Sequence, residues 1–219
     1  MTGFQLKLIA ILTMAIDHIG YGLVYYVGLA DPDKMVLYTL CRGVGRLAFP
    51  IFCFLLVEGF VHTKNLARYM GRMALFALAT EPFFDFFCTG TWFSMEGQNV
   101  LFTLLFGLLA LASYNKKDWP FLLRLMGVAG AMALAHFAGS DYGFYGVLVI
   151  FLFYLCRDLG WGGKGLVAAA NLYQNWAALG VLLTGFYNGQ RGREIKYFFY
   201  VFYPAHLLVI GLLSQYWFS

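Results

Sequence analysis

Apolar residues in this chain come in long blocks, without the strict alternation that marks strands. Eight blocks stand out, at residues 8–29, 44–61, 73–87, 100–112, 121–138, 142–155, 165–187 and 197–218. In lipid every backbone N–H and C=O must find a partner within the protein, and a helix satisfies its own, so these blocks predict membrane-crossing helices. The third, fourth and sixth fall short of the roughly 20 residues a full crossing takes. They are expected to begin within their polar flanks, to tilt, or to sit where the bilayer is thinned. The predicted fold is all-α, a polytopic transmembrane helical bundle of about eight spans. With little Pro, no low-complexity linker and no fixed-period repeat, residues 1–219 read as a single integral membrane domain.

Composition strengthens this reading. Hydrophobic residues make up 61% of the 219 and charged ones 12%, against roughly 45–50% and 25% in soluble domains. Aromatic residues, at 20%, suit lipid-facing surfaces and the headgroup belts. Asp17 and His18 interrupt the first block and no small-residue cleavage site follows it, so the first span is read as retained. The net charge of +4 comes from short basic loops and not from one tract, which argues against nucleic acid as a partner. Cys41, Cys53, Cys88 and Cys156 have neither CxxC nor zinc-ligand spacing, so free thiols are expected and no metal.

Loop charge gives an orientation, because cytoplasmic loops are enriched in Lys and Arg. Loops with Lys64, Arg68 and Arg72, with Lys116, Lys117 and Arg124, and with Arg157 and Lys164 are read as cytoplasmic. The third and fifth loops carry no basic residue and are read as external, which puts both termini in the cytoplasm. One loop breaks the alternation: residues 188–196 hold Arg191, Arg193 and Lys196, yet fall outside. Either those charges bind an anionic headgroup or acceptor, or the seventh block is miscounted or re-entrant.

The blocks also hold groups that lipid penalises. Asp17 and His18 lie near the middle of the first, Arg46 and Glu58 in the second, Glu81 and Asp85 in the third, and His206 in the last, while Asn171, Gln174 and Asn175 form an amide patch in the seventh. A charge at a helix centre costs roughly 2.5–3.5 kcal/mol, so each needs a partner, a wet cavity or a function. Mutual pairing is the plain explanation, Arg46 with Glu58 or Glu81, and the amides as interhelical glue. Glu81 and Asp85 are four apart and share a helix face, as do Glu58 and His62. Arg42 and Arg46, also four apart, could grip a phosphate or an anionic acceptor.

Histidine is different in kind, since it titrates near neutrality and is the commonest general base; His18 beside Asp17 is the foremost candidate. Lys7 and His18 are eleven residues apart, close to three turns, so they lie on one face about 16 Å apart along the axis. An extended pantetheine arm could bridge that gap, with Lys7 as a cationic entrance for phosphates and His18 as a buried base, although a lysine at a helix end is also ordinary snorkelling. In YPAH (203–206), Pro204 removes a backbone hydrogen bond and predicts a kink that lines a cavity, where His206 could face the same interior as His18.

An ordered set of motifs goes further: IDHIG (16–20), GRLAFPIFCFLLVEGF (45–60), EPFFD (81–85), QNVLFTLLFGLL (98–109), DYGFYGVL (141–148), YNGQRG (187–192) and KYFFYVFYPAHLLVI (196–210). In this set the chain resembles the TraX proteins, bacterial membrane proteins associated with conjugal transfer and with N-terminal acetylation of pilin. TraX proteins look like relatives of the acyltransferase-3 family, in which an Arg or Lys, ten residues and a His recur on the first helix. Lys7 and His18 match that spacing. The resemblance implies His18 as base, Lys7 as a contact to acetyl-CoA as acyl donor, and a place in the bacterial inner membrane. Those enzymes have about ten spans where eight are counted here.

The function expected is transfer of acetyl from acetyl-CoA to an amine or hydroxyl of pilin, glycan, lipid or a small molecule. His18 would take the acceptor's proton, Asp17 or Glu58 would orient the imidazole, and Arg46, Asn99 or a tyrosine would stabilise the oxyanion. The alternatives are a proton-coupled transporter or channel with Asp17, His18, Glu58, Glu81 and His206 as a relay, and a structural partner of a secretion or pilus assembly. Against a transporter, no repeated halves with matching broken helices appear.

Overall fold

The computed structural model describes residues 1–174, 176–193 and 196–218. The first helical run is α1 (Gly3–Ile19), a π-helical turn (Gly20–Val24) and α2 (Tyr25–Ala30). After a short 3-10 turn (Pro32–Lys34) come α3 (Met35–Gly45), α4 (Ala48–His62), α5 (Leu66–Thr89), α6 (Val100–Tyr114), α7 (Phe121–Phe137), α8 (Gly143–Leu155), α9 (Gly160–Ala170), α10 (Ala177–Thr184) and α11 (Lys196–Phe218). No strand forms among the described residues; Gln98 and Ser140 make one isolated parallel bridge.

Local chemistry fixes the helix ends. The Thr2 hydroxyl accepts from Gln5 N at 3.3 Å while the Gln5 side chain accepts from Thr2 N at 2.8 Å, a reciprocal cap on α1. The Asn65 side chain accepts from Arg68 N at 2.9 Å to open α5, and Gly90, at φ 74°, closes it in the left-handed conformation that glycine adopts without penalty. Asn99 opens α6 by accepting from Leu101 N at 3.0 Å.

These helices build two storeys. The chain starts at the base, where Gly3 N and Phe4 N donate to Gln190 O and Arg191 O at 2.8 and 3.0 Å, and Asn188 N to Met1 O at 2.9 Å. The end of α4 is at the base too, since Phe54 packs edge-on to Tyr187 and Glu58 pairs with Arg157. Asp17 on α1, Leu47 before α4 and Glu81 on α5 each lie about fifteen residues, or about 22 Å, above this base. The upper ends of α6, α7, α8, α9 and α10 stop at that level. Asn99 there donates to Ala77 O at 2.9 Å, Tyr142 stacks on Phe49 with centroids 3.6 Å apart, and Trp176 lies against Gly43. Among the described residues the α2/α3 hairpin, the upper turns of α5 and α11 and the loop after α5 continue toward the far end, where Phe218 stacks on Tyr26 at 4.9 Å.

The apolar core fills the lower storey around α4. Leu6, Ile51, Leu108, Leu111, Val147, Ile150, Phe153 and Val181 are all fully enclosed there. Leu12 and Ile16 of α1, Leu75 and Leu78 of α5, and Phe121, Leu122, Met126 and Phe137 of α7 are exposed, as lipid-facing positions require. Among the described residues three helical runs are long and apolar enough to cross a bilayer: Gly3–Ala30, Pro32–His62 and Val201–Phe218. A fourth would be Gly143–Leu155 with Arg157–Ala170, whose axes are inclined at 55°. That pair folds back as a V, however, because Tyr145 near the start of α8 donates to Asn171 Oδ1 just beyond α9 at 3.0 Å.

Several expectations change here. The seventh block, 165–187, is not one crossing: α9 rises from the base, a 3-10 turn at Leu172–Gln174 follows it, and α10 descends. Residues 188–193 therefore return to the base beside the N-terminus, which removes the conflict over Arg191 and Arg193. The polar turn residues Asn171 and Gln174 interrupt an otherwise apolar block, and this is what breaks it. The first and last helical runs ascend side by side, so the N-terminus and Phe218 occupy opposite ends of the bundle, which is not the arrangement that two termini on one side requires. Helix α11 is continuous through Pro204.

Candidate functional site

The step between the storeys gathers the ionisable groups of the first and last helical runs. His18 Nδ1 lies 2.6 Å from His206 Nε2, and the two rings stack with centroids 4.9 Å apart. His206 Nδ1 lies 2.7 Å from Phe202 O. A carbonyl can only accept, so His206 carries its proton on Nδ1, and in its neutral form Nε2 is an acceptor. His18 must then donate from Nδ1, which leaves the lone pair of neutral His18 on Nε2. The hydrogen-bond pattern thus assigns both tautomers. Phe87 and Tyr203 wall this pair at 5.3 and 6.3 Å.

Asp17, the next residue, faces the other way. Its Oδ2 accepts from Arg42 Nη1 at 2.6 Å, while its buried Oδ1 has no hydrogen-bond partner. The contact depends on Gly45, where an added Cβ would fall 2.2 Å from Asp17 Oδ1 and Cβ. A side chain there would push the carboxylate away, which is why α3 must present glycine to α1 at this crossing. Arg42 also lies over the Tyr21 ring at 5.5 Å. Asp17 is therefore not the group that orients His18, as the sequence suggested; His206 is.

Arg46 sits at the break between α3 and α4 and pairs with neither Glu58 nor Glu81. It lines a half-open cleft of about 520 Å³ with Asp141, Tyr142, Phe144, Tyr145 and Gln174. Its neighbours there include the Tyr142 hydroxyl and the Asp141 carboxylate. Asp141 and Tyr142 were missed as site candidates because they fall in a short turn, and only the folding of α7 and α8 brings that turn to Arg46. Of the amide patch, Asn171 bonds Tyr145 and Val167 O, Gln174 lines the cleft, and Asn175 lies outside the described residues.

The remaining candidates do other work. Glu81 Oε2 accepts from the backbone and the side-chain amide of Asn99. Asp85, nearly inaccessible, accepts from Ser94 N at 2.9 Å and so ties down the loop after α5. Asn99 spends its amide on Ala77 O and Glu81 and its carbonyl on Leu101 N, so it has no donor left for an oxyanion. Glu58 accepts from Arg157 Nε at 3.0 Å, near the base. Arg191 is also at the base, its carbonyl bound to α1. Lys7 stands over the Phe199 ring at 5.4 Å, so Lys7 and His18 both face α11, as their spacing requires. All four cysteines are free thiols.

Apolar helices enclosing an Asp–Arg pair and a hydrogen-bonded His pair at mid-depth define a polytopic membrane protein with a polar interior site. The chain matches the TraX protein family over residues 2–214 and belongs to it. A relative from Dichelobacter nodosus, "Probable fimbrial assembly protein FimC, serogroup H1", is 32% identical over an alignment that covers 95% of this chain and 94% of that protein. No solved structure matches the chain.

Proposed function

We propose that this chain is a membrane-embedded acetyltransferase that uses His18 to move an acetyl group from acetyl-CoA to an amine or hydroxyl, a pilin N-terminus being the first acceptor to test. The observation that carries the reading is the relay from Phe202 O through His206 to His18, which leaves Nε2 of His18 as a free base. Family membership and the fimbrial assembly name of the relative support a pilin-related role.

In the reaction His18 Nε2 takes the acceptor's proton as its nitrogen or oxygen attacks the thioester carbon. A C–N or C–O bond forms, and the carbonyl oxygen becomes an oxyanion. Arg46, in the cleft beside Asp141 and Tyr142, is the cation proposed to receive it, since Arg42 is committed to Asp17. Collapse breaks the C–S bond, and the departing thiolate takes the proton from His18. His206 steadies the imidazolium from behind through its own acceptor nitrogen. Lys7, on the same face and closer to the base, meets the donor's phosphates. The base carries nearly all the Lys and Arg, which orients it to the cytoplasm of the bacterial inner membrane, where acetyl-CoA is found.

Calorimetric titration of acetyl-CoA and coenzyme A into detergent-solubilised protein tests this directly. Saturable binding is expected, weakened several-fold or more by Lys7→Ala and retained by His18→Ala, which should instead abolish transfer to an amine acceptor. Normal transfer by His18→Ala would end the assignment.

A further inference from the structure

The base of the bundle contains a second cavity, of about 330 Å³, well away from the His pair. Glu58, Arg157, Trp161, Lys164, Tyr187 and the backbone of Gly185 and Gly189 line it. Its charges are not equivalent. Arg157 is already neutralised, with Nε 3.0 Å from Glu58 Oε1 and Nη1 3.5 Å from Asp158 Oδ1. Lys164 makes no ion pair within 4.0 Å among the described residues. Its ammonium rests instead on two ring faces, 4.1 Å from the centroid of Phe54 and 5.3 Å from that of Phe153.

Aromatic faces hold an ammonium through their quadrupole and supply no counter-charge. Its three donors are offered to a cavity whose two lining carboxylates, Glu58 and Asp158, are both bound to Arg157. Trp161 forms a flat apolar side of the cavity. It packs against Gly185, where a Cβ would meet the indole at 2.4 Å, so glycine is what lets the ring lie there. The glycines leave main chain bare beside it. One cation without a carboxylate partner next to an aromatic plate, on the most basic end of the bundle, is the chemistry that receives a phosphate joined to an apolar or flat group.

We propose that this cavity is an anion site whose ligand carries a phosphate, bound by Lys164 with Trp161 against the rest of the ligand. The site stands apart from His18 and does not depend on the acetyl-transfer reading. A phosphate of this kind comes from a nucleotide in the cytosol or from an anionic lipid headgroup, and the test separates the two.

The experiment uses the full chain in detergent. Guanosine 5′-monophosphate and short-chain phosphatidylglycerol are titrated separately, with phosphatidylcholine as a control that shares the phosphate but is zwitterionic. One of the two anionic probes is expected to bind saturably, with affinity reduced at least tenfold in Lys164→Gln, largely restored in Lys164→Arg, and unchanged in Lys64→Gln and His18→Ala. The probe that behaves this way identifies the source. Wild-type protein supplies an independent readout: the bound probe should slow modification of Lys164 by an amine-reactive reagent, followed by mass spectrometry, while Lys64 and Lys116 react as before. Binding of neither probe, equal binding by Lys164→Gln, or no protection of Lys164 would overturn the proposal.

Discussion

His206 contacts His18 and no carboxylate, so under the proposed function its effect on chemistry should be one of positioning. If His18 is the base, His206→Ala removes the acceptor of the Nδ1 proton and lets the imidazole rotate and change tautomer. General-base contributions run to about 10²–10⁴-fold, so a loss of kcat on the order of 10²-fold is expected, with the Km for acetyl-CoA little changed. His206→Gln can return a carbonyl oxygen to the same place and should recover part of the loss. A merely structural role predicts the reverse, with both variants equally unstable and KM affected as much as kcat. The groups at this site were visible in the sequence because each is expensive in lipid: Asp17, His18, Arg46 and His206 could all be named from their depth in apolar blocks. Apart from His206, read as facing the same interior as His18, their partners were not visible. Arg157, read as a loop residue, takes Glu58, and Asn99, read as an oxyanion donor, takes Glu81. Pairing depends on which helix faces face each other, and one-dimensional spacing carries that only within a helix, as it did for Lys7 and His18.

The long apolar helices were legible from block length alone, whereas the block at 165–187 misled because its length matches a full crossing. What ends α9 is a run of amides whose needs are local: Asn171 Nδ2 donates to Val167 O at 2.8 Å and its Oδ1 receives Tyr145. With those bonds made the chain can turn inside the protein, where non-helical backbone at membrane depth is tolerated. This arrangement makes a sharp prediction about sides. Single cysteines placed at Gln190 and at Lys64, in a background with the four native cysteines replaced, should be labelled by an impermeant maleimide from the same face of the membrane. Labelling from opposite faces would restore a single crossing at 165–187 and return Arg191 and Arg193 to the outside.

At the scale of the whole molecule, charge and height are both lopsided. Lys34, Arg42 and Arg46 apart, every Lys and Arg belongs to the base or lies within about two turns of it, while the far end is reached by few helices and carries Asp31, Asp33 and Glu96. The short helices stop where Asp17, Arg46 and His206 begin, so the polar site is the floor of the upper storey, and groups that would be stranded in a uniform bundle lie beside an opening. The same layout makes the first and last helical runs parallel. The sequence could not show this, because alternation counts every block as a crossing, and here five helices only traverse the lower storey. If the base faces the cytoplasm, a protease-cleavable tag at the C-terminus should be cut from the periplasmic side of intact spheroplasts, and the same tag at the N-terminus only after the membrane is opened. Cleavage of both tags from one side would mean that the far end does not reach the opposite face, and the site would then lie near the cytoplasmic surface, within reach of soluble acceptors and not of a pilin subunit resident in the membrane.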